Sequence, residues 1–288
     1  MSRAPSLATT ALIAVLLAPA VSHAAATTPA PDKSATSSQA VTAPTPPKPP
    51  EKASPQARAD AARLSPLGRA AFWGHEAQID PTDMVAGVQL ASALRALGQY
   101  DTAIQSAGRV LVIDPNNMDA LMEEARAYVA SGQGFYAIDP LGHAEAIAPK
   151  DWRPLSLMGI AYAQVRRADD AQAVWRQALV LSPDNPAVLT NMAMEFAAEG
   201  DTAQAETLLR RAAAQPTASL TVRQDLTLVL GLEGKLSEAE VLLRRDLPPD
   251  QADADLAYLQ AASAKTVDTP PAAAAPQRSW ESLKGAGG

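Results

Sequence analysis

From Arg63 to about Ala262 the small, large apolar and polar positions recur in one phase every 34 residues. Prolines stand at Pro81, Pro115, Pro149 and Pro183. Twelve residues before each proline position the interval gives Ala103, Ala137 and Ala171, and continues through Ala205 and Ala239. Glycines fall at Gly98, Gly132, Gly200 and Gly234, with Arg166 as the exception, and each can end one helix and turn the chain into the next. A small residue at Ala91, Ala125, Gly159 and Ala193 is followed three residues later by Leu94, Tyr128, Tyr162 or Phe196, a spacing that lets two helices approach while the large side chain fills the gap. The joint phase predicts a repeating helix–turn–helix unit, with each proline at or just beyond the end of the second helix because it lacks an N–H and restricts its predecessor.

This pattern resembles the tetratricopeptide repeat (TPR). The best unit is DWRPLSLMGIAYAQVRRADDAQAVWRQALVLSPDN, in which Leu155, Gly159, Tyr162, Ala171, Trp175, Ala178 and Pro183 meet the family pattern. The expected fold is all-α, a TPR solenoid of about five units starting near Met84, Met118, Trp152, Pro186 and Leu220. A half-unit around LGRAAFWGHEAQIDP precedes them and a capping helix, DQADADLAYLQAA, follows. Pro140 falls inside an expected second helix, which must either kink there or start late with Asp139 as its N-cap.

Four segments result. Residues 1–24 read as a cleaved secretory signal, with an apolar run from Leu7 to Val21 and small residues at Ser22 and Ala24. Residues 25–62, rich in Pro, Ala, Ser and Thr, are expected to be a disordered linker, residues 63–263 the solenoid, and residues 264–288 a disordered tail in which Trp280 sits within a candidate docking motif, RSWESLK. No integral membrane span is expected once the signal is cleaved. The chain has no cysteine, so it carries neither a disulfide nor a lipidated N-terminal cysteine.

Composition narrows the chemistry. Aromatics make up only 4% of the 288 residues, which favours close-packed helices, and a net charge of −7 disfavours nucleic acid as a partner. No metalloprotease helix, phosphate loop or nucleophile elbow is present; His75 and His143 read as solvated, and the adjacent carboxylates Glu123 with Glu124 and Asp169 with Asp170 as surface charges. The reading is of a non-enzyme with no cofactor and no metal, a wall hydrolase being the remote alternative.

The functional surface of such an array is the concave face made by the first helix of each unit. The register assigns to it Val88, Ser92, Arg95, Asp119, Met122, Arg126, Arg153, Ser156, Ile160, Gln164, Thr190, Asn191 and Met194. Adaptable methionines and spaced arginines suit an extended or helical peptide with some acidic character.

The stretch from Asp151 to Gln260, and most specifically the run from Val222 through DLPPDQADADLAYL, is similar to the TadD family of Tad (Flp) pilus assembly proteins. That resemblance implies a non-enzymatic assembly factor in the periplasm of a Gram-negative bacterium, associated with the outer-membrane secretin or another pilus component. Relatives are typically lipoproteins, whereas this chain has no cysteine to lipidate, and Asp225 stands where relatives tend to carry asparagine. The alternative reading is a general periplasmic adaptor for another envelope or polysaccharide-export complex.

Overall fold

The computed structural model describes residues 51–268. These residues form helices and turns, with no strand among them. The first helices of the five units are α3 (Met84–Ala96), α5 (Met118–Ala130), α7 (Trp152–Gln164), α9 (Pro186–Glu199) and α11 (Leu220–Leu232). The second helices are α4 (Tyr100–Ile113), α6 (Gly134–Ile147), α8 (Ala168–Leu181), α10 (Thr202–Ala213) and α12 (Leu236–Asp246). Two short turns, α1 (Pro55–Asp60) and a 3-10 helix (Ala61–Arg63), and α2 (Pro66–Ile79) precede them, and α13 (Pro249–Asp268) follows. Each first helix packs on its own second helix and on the first helices of its neighbours, whereas neighbouring second helices stand further apart, α10 and α12 being bridged by the Arg210–Glu238 ion pair at 2.6 Å. The first helices therefore form a continuous inner layer.

The unit is delimited by three local devices. The first helices are capped by the side chains of Asp83, Asn117, Asp151, Asn185 and Ser219, each accepting a backbone N–H from the first turn, as short oxygen-bearing residues do best. They end on a recurrent six-to-one hydrogen bond, from the N–H of Gln99, Gln133, Arg167, Asp201 and Lys235 to the carbonyl of Leu94, Tyr128, Tyr162, Phe196 and Leu230. This closure needs a left-handed residue: glycine supplies it in four units, and in the third Arg166 adopts φ 62° instead. Finally, Pro81, Pro115, Pro149 and Pro183 each occupy the second position of a four-residue turn whose closing N–H belongs to the next N-cap residue, Asp83, Asn117, Asp151 or Asn185. The fifth boundary uses Pro216 in the turn closed by Ala218, one residue early.

Inside each unit the alanine column Ala103, Ala137, Ala171, Ala205 and Ala239 is fully buried. Volumes are matched across the helix pair. In the third unit Trp175, one turn beyond Ala171, lies over Gly159, and its indole donates to the carbonyl of Ser156 at 3.0 Å. A Cβ at position 159 would overlap the ring. In the second unit Leu141 holds the same place opposite Ala125, and both are fully buried.

Helix α6 runs through Pro140, so the helix does not start late and Asp139 lies within it rather than capping it. Fully buried Ala137, Leu141 and Ala144 pin the helix on both sides of the proline, and that burial offsets the ~3 kcal/mol of a missing bond and a clash.

Order also begins earlier than the composition implies. Residues 51–62, expected to be linker, form α1 and the start of the 3-10 helix and strap onto α2 and α3. The Ala53 N–H donates to buried Glu76, Lys52 pairs with Asp80 at 2.6 Å, and Arg58 pairs with Asp83 at 2.9 Å while lying over the Trp73 ring. Ala61 packs under Trp73 and Ala86. At the other end α13 extends to Asp268, past the expected boundary at 263, and packs on α11 and α12 as the first helix of a sixth unit would. The expected signal segment and the Trp280 motif lie outside the described residues.

Gly159→Ala is expected to lower stability by about 1–3 kcal/mol through overpacking, read as a lower urea midpoint; an unchanged midpoint would show that Trp175 has room to move. The strap should be pH-sensitive. Hydrogen bonds from Lys52 and then from Thr82 hold the Asp80 carboxyl below its ordinary range, and for Asp83 burial is outweighed by bonds from the Ala86 N–H, Lys52 and Arg58. Depressed folded-state values mean that the stabilisation is complete above the unfolded value of 3.8 and disappears as pH falls further through the folded values. The Ala53 amide resonance is expected to hold steady from about pH 5 to 9 and, below about pH 4, to move progressively toward its free-chain position as pH falls through the depressed values of Asp80 and Asp83. A constant shift down to the acid unfolding of the whole array would show that these pairs do not anchor the strap.

Candidate functional site

The inner face is where side chains of five successive helices converge, but its two halves differ. In the first three units it is filled with charges that satisfy one another. Glu123 of α5 is only 7% exposed, so the expectation of a surface carboxylate is corrected: it accepts from Arg95 of α3 at 2.9 Å and from Arg126 at 2.6 Å. A carboxylate taken out of water needs such partners, and two guanidiniums supply them. Arg153 forms a two-pronged pair with Asp151, whose carboxyl is held below its usual range by that pair, against the opposing effect of burial. Asp119 lies close enough to Arg153 to favour its charged form. The row of arginines that the sequence offers to an acidic peptide is thus already matched by Asp119, Glu123 and Asp151.

Three assigned residues are interior. Val88 packs with Val110 and Ala120, Met122 lies in the cluster around Leu141, and Ser156 is 6% exposed, its carbonyl holding Trp175. These positions lie between their own unit and the neighbouring first helix, and in the first three units they are buried there. The same register position becomes half-buried at Thr190 and exposed at Gln224, so the inner face opens toward its C-terminal end. Ser92, Ile160, Asn191 and Met194 are half-buried on that face, with Asn191 donating weakly to Ser156 at 3.5 Å. Gln164 is exposed and donates to the Val129 carbonyl of the preceding unit at 2.8 Å.

The fifth unit contributes residues that the sequence reading left unassigned although the 34-residue register carries them: Thr221, Gln224, Asp225 and Leu228. Burial pushes the Asp225 carboxyl above its ordinary value, and no ion pair meets it among the described residues, since the nearby Arg223 is engaged with Asp246 at 2.7 Å. Gln224 and Leu228 also line a cavity of about 160 Å³, completed by Thr227, Leu243, Asp255, Tyr258 and Leu259.

Among the described residues no group of three or more His, Cys, Asp or Glu side chains is placed to hold a metal ion. His75 is exposed, and His143 is exposed with its Nε2 2.9 Å from Asn116 Oδ1. No described helix is long and apolar enough to cross a membrane.

The fold and this face define a TPR array, an architecture whose inner surface serves protein–protein interaction. Among solved structures the chain is similar to TTC0263, a thermophilic TPR protein from Thermus thermophilus, at 24% identity and a TM-score of 0.52, covering 59% of this chain and 95% of that one. It is also similar to a tetratricopeptide repeat protein from Parabacteroides merdae, at 13% identity and a TM-score of 0.56, covering 72% and 85% respectively. At these identities the likeness establishes the fold. No family model matches the chain, and no curated protein matches it in sequence.

Glu123→Gln is expected to lower stability by about 1–2 kcal/mol, less than for a fully buried pair because solvent screens the part-exposed arginines. Equal urea midpoints for the two proteins would show that the arginines gain nothing from the carboxylate.

Proposed function

We propose that the protein is a non-enzymatic periplasmic scaffold that assists assembly of the Tad (Flp) pilus by holding a segment of the secretin or another pilus component on its inner face. The observation that supports this reading is the run from Val222 to Leu259. Its sequence is similar to the TadD family, and it forms α11, α12 and the capping α13, beside the open end of the inner face. The open half carries adaptable and hydrogen-bonding side chains, Met194, Asn191 and Gln224, which suit recognition by shape and distributed contacts. Export to the periplasm rests on the expected signal in residues 1–24. Without a cysteine, any attachment to the outer membrane runs through a protein partner or through the Pro-rich segment that precedes the strap.

The test is photo-cross-linking in cells that express the pilus genes. A cross-linking residue replaces exposed Gln89 or Gln224 on the inner face, or exposed Gln177 on α8 as the outer-face control. Secretin or pilus-assembly peptides linked from positions 89 and 224, and not from 177, are the expected result. Reproducible links only to unrelated envelope machinery would replace the pilus reading with that of a general adaptor.

A further inference from the structure

Asp225 occupies in the fifth unit the position that Glu123 occupies in the second, three 34-residue intervals earlier. At Glu123 the chain itself shows what a carboxylate at this position takes: the guanidiniums of Arg95, from the preceding first helix, and Arg126, one turn on. The counterparts of those arginines beside Asp225 are Ala197 and Leu228. Asp225 is therefore a half-buried carboxylate on the inner face with the space of both cations left to small or apolar side chains. Its surroundings add to the complementarity. Asp255 lines the adjoining cavity and forms no ion pair among the described residues, and Leu228 and Met194 are half-buried apolar neighbours in the register.

We propose that the C-terminal end of the inner face binds a partner protein's segment by seating an arginine on Asp225, with apolar residues flanking that arginine against Leu228, Met194 and the adjoining cavity. This rests on the reading of the inner face as a peptide-binding surface and is independent of the pilus assignment. It also reverses the polarity inferred from sequence, since the arginines of this face are matched and the carboxylate at its open end is not. Arginine suits the site better than lysine because its fork satisfies both carboxylate oxygens, as Arg153 Nε and its terminal nitrogen do at Asp151 Oδ1 and Oδ2 within this chain.

The probe is acetyl-Leu-Arg-Leu-Leu-amide, with its glutamine counterpart as reference, each titrated into isotope-labelled full-length protein and followed through backbone amide shifts. Shifts confined to α9, α11 and α13, with about tenfold tighter binding of the arginine peptide, are expected from one charge-assisted pair. Asp225→Asn should bring the two affinities to within about twofold. The double variant Ala197→Arg with Leu228→Arg rebuilds the internal triad and should likewise lose the preference while keeping its helical circular dichroism, which separates occupancy from misfolding. Equal binding of both peptides on the inner face overturns the arginine assignment and leaves the scaffold reading standing. Failure to bind the arginine peptide until Arg278→Gln is introduced assigns the site to the chain's own tail and overturns the partner proposal.

Discussion

The whole array depends on one close approach, that of the two helices within each unit. It is possible only where a side chain is small on one helix and its opposite number fills the remaining space. The fully buried column from Ala103 to Ala239 provides the small side in all five units. The pairing of Trp175 with Gly159 shows the constraint at its limit: the largest residue of one column meets the smallest of the other, and the indole N–H still finds the Ser156 carbonyl. Because each unit contacts only its neighbours, this fit must be met separately in every repeat, and a misfit in one cannot be absorbed by a distant core.

Arrays of this kind have two exposed ends, and both are closed from outside the five units. At the start, Lys52, Arg58 and Ala53 tie an otherwise polar segment to Glu76, Asp80 and Asp83. At the finish, α13 lays Leu259 over Gly231, where a Cβ would not fit. One cap is chiefly electrostatic and the other chiefly apolar. That difference makes the first responsive to pH and salt, and leaves the second dependent on packing.

Much of the architecture was legible because it rests on local rules. The starts of all five first helices follow from the 34-residue interval, and the turns from the glycine and proline positions. The strap was not legible, because Ala53, Lys52 and Arg58 make sense only beside residues 76 to 83, and the composition around them reads as linker. The proline at 140 was ambiguous for the same reason: propensity opposes a helix there, and burial of Leu141 and its neighbours decides the outcome. On the inner face the register identified the correct helices but not exposure. Val88, Met122 and Ser156 share a position with Thr190 and Gln224, yet the first three are interior, Thr190 is half-buried and Gln224 is exposed.

The same comparison explains how one repeated position can serve two ends. In the second unit the carboxylate of Glu123 links α3 to α5 through Arg95, so its charge contributes to the stacking of first helices. In the fifth unit Asp225 keeps the carboxylate without either cation, which costs solvation and gives no contact in return. A stability-only array would place an apolar or paired residue there, as Leu157 and Asn191 do at the equivalent positions of the third and fourth units. The unmatched group therefore stands out against the chain's own pattern. It lies at the open end of the inner face, beside the cavity under α13, where an incoming side chain recovers the interaction that the fold leaves unmade.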